Sequence, residues 1–323
     1  MAEGVPSDLG AAFRTCEEIS VYCPIEATVL GYAPNLGASI FFTIAFGILG
    51  IATLWIGARG KTWTFMAAIG MGCILEMSGY VGRAILNNNP WNGDAFQLQI
   101  CVIILGPTVI CAGIYLIIKH VALNLDPSLS RVPPKWYPLF FLPADVSCLV
   151  VQAIGGGLAA AAGKENKSLL DGGNRAIVAG ICLQVVVLSL FGLVSGEYLI
   201  RVSGKVRRLG KEAAVREGLG LWFEKRFTIF WRAAVGAYAA VYIRCIYRIA
   251  EMAGGWGNHI MQDEISFTIL DPSMCLIAVS LLTIFAPGIY FREMSATSPT
   301  AEKDAEKARP TTGGVVSEGG ATE

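Results

Sequence analysis

The run Arg244-Cys-Ile-Tyr-Arg248-Ile-Ala-Glu251 closes an apolar segment that begins near Phe227. Its three ionisable residues are spaced i, i+4 and i+7, so a helix carries them on one face, with Tyr247 beside Arg248. A charge at the bilayer centre costs roughly 2.5–3.5 kcal/mol on insertion scales, so such a face turns inward, toward opposite charges, water or a polar ligand. Two kinds of chemistry follow: ion pairing between helices, or recognition of a charged head group.

Other apolar stretches supply the complement. Glu76, Tyr80 and Arg83 fall on one helical face of the second stretch, and Asp271 opens the last one. At similar depth, three cations (Arg83, Arg244, Arg248) meet three anions (Glu76, Glu251, Asp271). A second polar set lies elsewhere: Asp145 and Gln152, seven residues apart in the fourth stretch, Gln184 at mid-depth in the fifth, and Arg232 in the sixth as a candidate partner for Asp145. As clamps, these groups would offset several kcal/mol of desolvation per ion by pairing, and would fix helix register. As a cavity, they would take a charged or zwitterionic head while apolar walls hold its hydrocarbon part. The second reading is the one carried forward. Gly155-Gly156-Gly157 reads first as a place of close helix packing, and Pro107 and Pro287 as kinks, because each deletes a backbone hydrogen bond.

These residues need spanning helices to hold them. Of 323 residues 54% are hydrophobic and 15% charged, with mean hydropathy +0.55, which excludes an ordinary soluble domain and fits an all-α polytopic membrane protein. Seven stretches reach the roughly 20 apolar residues needed to cross the hydrocarbon core: 36–58, 63–86, 97–119, 137–162, 175–199, 227–250 and 267–290. Lys and Arg concentrate in alternate loops, including eight between the fifth and sixth stretches, while 87–96 and 251–266 have none and 163–174, with Lys164 and Lys167, is a mild exception. That asymmetry places the amino terminus outside and the carboxyl terminus in the cytoplasm. Asn166-Lys167-Ser168, a glycosylation acceptor, then falls outside.

Three regions are expected: an extracellular segment 1–35, a transmembrane domain 36–292 and a disordered cytoplasmic tail 293–323, rich in Ser, Thr, Pro, Gly, Glu and Lys. Cys16 and Cys23 are a candidate disulfide if the first segment is extracellular. Seven of the nine cysteines lie in apolar stretches without C-x-x-C spacing and read as packing residues. Between Arg201 and Arg226, basic residues alternate with Leu209, Val215, Leu219, Trp222 and Phe223, which predicts an amphipathic helix along the inner leaflet, interrupted at Gly218 and Gly220.

Enzyme classes find little support. A zinc hydrolase needs several histidines around one metal, yet His120 and His259 fall on opposite sides of the membrane. No G-x-x-x-x-G-K-[ST] loop is present for a nucleotide-driven pump. A net charge of zero gives no footprint for nucleic acid, and no cofactor is expected.

Gly31-Tyr32-Ala-Pro34, Glu76…Gly79-Tyr80…Arg83, Asp145…Ser147…Gln152…Gly155, Arg244…Tyr247-Arg248…Glu251 and Asp271 together resemble the fungal RTA-like family of seven-helix lipid-translocating exporters, over about residues 28–292. The resemblance implies a plasma-membrane protein that exports or flips sphingoid long-chain bases and related amphipaths and confers resistance to toxic lipids. It admits haem or porphyrin as a second class of cargo. The seven-helix plan also leaves a lipid-sensing receptor as an alternative. The substrate-cavity residues expected here are Glu76, Tyr80, Arg83, Asp145, Gln152, Gln184, Arg244, Tyr247, Arg248, Glu251 and Asp271.

Overall fold

The computed structural model describes residues 25, 28, 30–162, 166–254 and 258–291. Cys16, Cys23 and the tail 293–323 lie outside these residues. Six long helices come first: α1 Leu36–Gly60, α2 Trp63–Asn88, α3 Gly93–Asn124, α4 Trp136–Ala162, α5 Lys167–Arg216 and α6 Lys225–Ala253. The last crossing is built from three pieces, α7 Glu264–Leu270, α8 Pro272–Ile284 and α9 Pro287–Tyr290. Seven helical stretches are long and apolar enough to cross a membrane, and the described residues contain no strand. The protein is an integral membrane protein.

Sequential helices pack side by side, and α8 returns to α1, so the crossings form a closed ring in which α3 and α6 also meet. Large apolar side chains such as Ile51, Leu193 and Ile200 stay exposed on the outside of the ring, as lipid-facing residues do. The end that bears Asn35, Trp91 and Glu264 is called upper here, and the end that bears Lys61, Asp126 and Arg216 lower.

Helix ends are set by local chemistry. Asn35, Asn92, Asn166 and Asp263 each cap a helix by accepting a backbone N–H from the first turn. Asn166, the glycosylation acceptor of the sequence, is thus an exposed capping residue. In the last crossing the chain breaks at Asp271, because Pro272 cannot donate to the Thr268 carbonyl; the Ser273 hydroxyl donates to that carbonyl instead, at 2.8 Å. A second break precedes Pro287, as expected for a kink.

Two boundaries differ from expectation. The last crossing begins at Glu264, three residues earlier than the apolar run, because Asp263 caps it. Asp271 is therefore inside the crossing rather than at its start. The segment after 199 starts as a continuation of α5, breaks at Gly210, whose φ of 74° is not helical, and resumes as a short helical piece to Arg216; a 3₁₀ turn at Leu219–Phe223 follows Gly218. Its apolar side packs into the bundle, since Val202, Ala214 and Leu219 are fully buried and Trp222 stacks on Trp231.

The glycines of α4 behave as packing residues at one position. A side chain on Gly155 would meet the Gly173 carbonyl and the Ile177 amide of α5, and one on Gly173 would meet the α4 backbone in return. Gly156 and Gly157 have open space beside them.

Candidate functional site

Three helices bring most of the ionisable residues together in the upper half of the bundle. Glu76, Tyr80 and Arg83 are buried on α2, Arg244, Arg248 and Glu251 on α6, and Asp271 at the α7–α8 break, all less than a tenth exposed. Tyr247 is buried beside them.

Pairing is unequal. Arg244 faces Asp271 across helices at 2.9 Å, although the N–H does not point along the line to the carboxylate. Arg248 pairs with Glu251 within α6 at 2.5 Å. Arg83 reaches Glu264 at 3.5 Å, donates to the Tyr32 hydroxyl at 3.1 Å and lies over the Phe267 ring. Glu264, counted as a loop residue in the sequence, also accepts the Asn35 backbone N–H at 2.6 Å. It is the fourth acid of the cluster, and it changes the balance. Three arginines are each matched by one acid, and Glu76 is left over.

Glu76 is fully buried, and neither of its oxygens has an N–H or O–H donor among the described residues; the Cys275 thiol is the polar group beside it. The Tyr80 and Tyr247 hydroxyls and both Asp271 oxygens are likewise buried without a hydrogen bond. The backbone of α3 explains how the acid fits. Gly106 lies against it, so close that a side chain there would sit 2.8 Å from a Glu76 oxygen. The next residue, Pro107, has no N–H for the Ile103 carbonyl one turn back, and Arg244 donates to that carbonyl at 2.6 Å. A glycine and a proline in sequence thus make room for the acid and give the arginine an anchor.

Lower in the bundle the second set is closed and mostly neutral. Asp145 accepts the Tyr115 hydroxyl at 2.6 Å through one oxygen; its other oxygen has no partner among the described residues. Arg232 is not its partner, because that side chain is on the exposed face of α6. Tyr115, Phe141, Tyr137 and Phe191 cluster on the lower side of Asp145 in tilted and edge-on contacts, with ring centres 4.5 Å apart at the closest pair. Above them Gln152 donates to Gln184 at 3.2 Å, and Gln184 donates to Thr108 at 3.0 Å. Thr108 carries no signal in the sequence beyond being a hydroxyl in an apolar run. A shallow groove of about 290 Å³ on the outside of α1 and α2 has an apolar lining, including Ile40, Ile44 and Val81, and touches none of these residues.

Tyr115, Thr108, Ile103 and Gln99 run along α3 from the lower third to the upper end. Polar groups therefore follow one helix across the membrane interior. No group of His, Cys, Asp and Glu suited to a metal ion occurs among the described residues.

Seven crossings ring a polar track that runs through an apolar interior, with one acid left unmatched, which is the architecture of a polytopic membrane protein with a polar interior. The family profile described as RTA1 like protein matches residues 69–294. The chain belongs to the RTA1-like family. It is 30% identical over 291 residues to the sphingoid long-chain base transporter RSB1 of Saccharomyces cerevisiae strain Lalvin EC1118, covering 83% of this chain and 76% of that one. It is 28% identical over 221 residues to protoporphyrin uptake protein 1 of S. cerevisiae, covering 68% and 67%, and 23% identical over 299 residues to protein RTA1 of the same yeast, covering 85% and 89%. No solved structure matches it.

Proposed function

We propose that this protein moves amphipathic lipids, sphingoid long-chain bases foremost, from one leaflet to the other and out of the cell. The observation that carries the reading is Glu76: a fully buried acid, unpaired while every arginine near it faces another acid. A protonated amine is the head group that complements it. Phosphate fits less well, because Arg83, Arg244 and Arg248 are already engaged. The similarity to a named sphingoid base transporter over most of both chains supports the same cargo class.

The head group would pass Asp145, then Gln152 and Gln184, and leave past Glu76, Glu251 and Asp271, with its hydrocarbon chain on apolar walls. Both ends are closed in this conformation: the aromatic cluster lies below Asp145, and Arg83 with Glu264 and Phe267 lies above Glu76. Transport requires these two closures to open in turn. The excess of Lys and Arg in the lower loops supports a cytoplasmic lower end and an outer amino terminus. The plasma membrane is the proposed location.

Purified protein in vesicles, given labelled long-chain base, phospholipid and haem in parallel, tests the reading. Accelerated transbilayer movement of the base alone supports it. Movement of haem alone replaces the cargo with the one named for the porphyrin relative, and saturable binding without movement of any of the three makes the protein a receptor.

A further inference from the structure

The geometry points to Glu76 as an exchange site, at which the ammonium of the cargo takes the place of a proton on the carboxyl group and the proton leaves to the opposite side. The inference rests on the exporter reading and adds its energy source. In balanced form, the carboxylic acid of Glu76 and an R–NR′₃⁺ cation give the carboxylate–ammonium pair and one released proton. No net charge is added to the site in either state.

The groups around Glu76 make this exchange possible. On its own helix it faces Cys73 and Tyr80; from α6, Arg244 and Arg248; from α8 and its leading break, Cys275 and Asp271. From α3 it faces the backbone at Gly106, which brings no charge. Of the two arginines that face it, Arg244 acts on it more strongly than Arg248, which is committed to Glu251. Arg244 is already engaged on two sides, by Asp271 at 2.9 Å and by the Ile103 carbonyl at 2.6 Å. Gly106 and Pro107 are therefore positioning residues: one admits the carboxyl group, the other frees the carbonyl that holds a hydrogen bond from Arg244. A lone carboxylate here would carry several kcal/mol of desolvation, so its charge is neutralised either by a proton or by an incoming cation. Two mutually exclusive occupants of one buried acid are what couples a proton gradient to a cationic cargo.

The test uses a long-chain base with a trimethylammonium head, which has no proton to lose and cannot cross as a neutral amine. Full-length protein is reconstituted in vesicles loaded with a pH-sensitive dye. The expected result is uptake that follows an inside-acid gradient and is matched by proton release from the interior. Glu76→Gln should lower this uptake at least about tenfold, the effect of losing one charged partner, and the remainder should ignore the gradient. Glu76→Asp should retain gradient dependence, and thermal melting of both variants in detergent controls for folding. Uptake of the quaternary base that is indifferent to pH in wild-type vesicles overturns the exchange while leaving the exporter reading intact. So does a folded Glu76→Gln protein that keeps gradient-driven uptake. If no base moves at all in wild-type vesicles, both readings fall.

Discussion

Arg244 donates to the Ile103 carbonyl at 2.6 Å, and that carbonyl is the one Pro107 leaves without its helical donor. The proline of α3 is thereby tied to a charge on α6, and through that charge to Asp271 in the last crossing. Pro107→Ala restores the missing N–H, which then competes with Arg244 for the same oxygen. Because proline in a helix interior costs about 3 kcal/mol relative to alanine, the variant should melt no lower than the wild type. Its transport of long-chain base should nevertheless fall, since Arg244 is released toward Glu76. Melting in detergent together with vesicle uptake checks this, and unchanged transport would mean that the anchor serves packing alone.

The Arg244–Asp271 pair joins two crossings, unlike Arg248–Glu251, which is internal to α6. Removing one member of a buried pair strands the other, at about 3–5 kcal/mol. Arg244→Met and Asp271→Leu singly should therefore lower surface expression and melting temperature. The double variant should recover much of that loss and still fail to transport. A thermodynamic cycle on purified protein measures the coupling; strict additivity would show that the two side chains do not depend on each other.

Much of this was open to sequence reading, for definite reasons. The seven crossings follow from the length of apolar runs, which a bilayer imposes on any helix that spans it. Charges at i, i+4 and i+7 had to share a face, so the inward cluster of Arg244, Arg248 and Glu251 was legible too. Which charge meets which was not, because pairing depends on the rotation of each helix about its axis, and periodicity fixes a face without fixing its neighbour. Arg232 faces outward and Tyr115 takes its place at Asp145 for that reason. Glu264 escaped because Asp263 caps a helix three residues before the apolar run begins, which brings a supposed loop acid onto Arg83. The free carbonyl at Ile103 could have been found by counting four residues back from Pro107. Its arginine partner could not, since 141 residues separate them.

Asp145 rests on Tyr115, and its second oxygen has no partner among the described residues. Tyr115→Phe leaves the carboxyl group with neither contact, so a loss of about 1–3 kcal/mol is expected, read as a lower melting temperature. Asp145→Asn keeps the size and a polar contact to Tyr115, and should remain folded. If the proposed path is correct, that second variant reaches the cell surface and no longer protects cells against added long-chain base. Full protection with normal surface levels would remove Asp145 from the path.

Helix contact at the α4 glycines separates two positions only two residues apart. Gly155→Val drives a side chain into the Gly173 carbonyl and the Ile177 amide, which are backbone and cannot move aside without shifting α5. Overpacking of this kind costs about 1–3 kcal/mol. Gly157→Ala meets open space and should leave melting unchanged or slightly raised. Equal effects at the two positions would show that α4 and α5 do not pack closely here.

At the lower end, outside the membrane-spanning stretch, Asp126 joins the α3–α4 loop to α5. Its carboxylate accepts from Lys205 at 2.8 Å and from Ser128, and Lys205 also pairs with Glu217. Partial burial pushes this carboxyl up, but the hydrogen bonds from Lys205 and Ser128 outweigh it and hold it below the usual carboxylate range. A group whose folded value is depressed stabilises the fold above its unfolded value and loses that contribution as pH falls through the folded one. Asp126→Asn should accordingly melt below the wild type at pH 7, and the gap should close as the pH drops under the ordinary aspartate value of about 3.9. High salt should narrow the gap at pH 7 as well, because Lys205 is partly exposed and its pairing is screened. Melting curves of the two proteins at neutral and acid pH, with and without salt, decide the matter: a gap that persists at low pH would assign the loss to packing rather than to the charge.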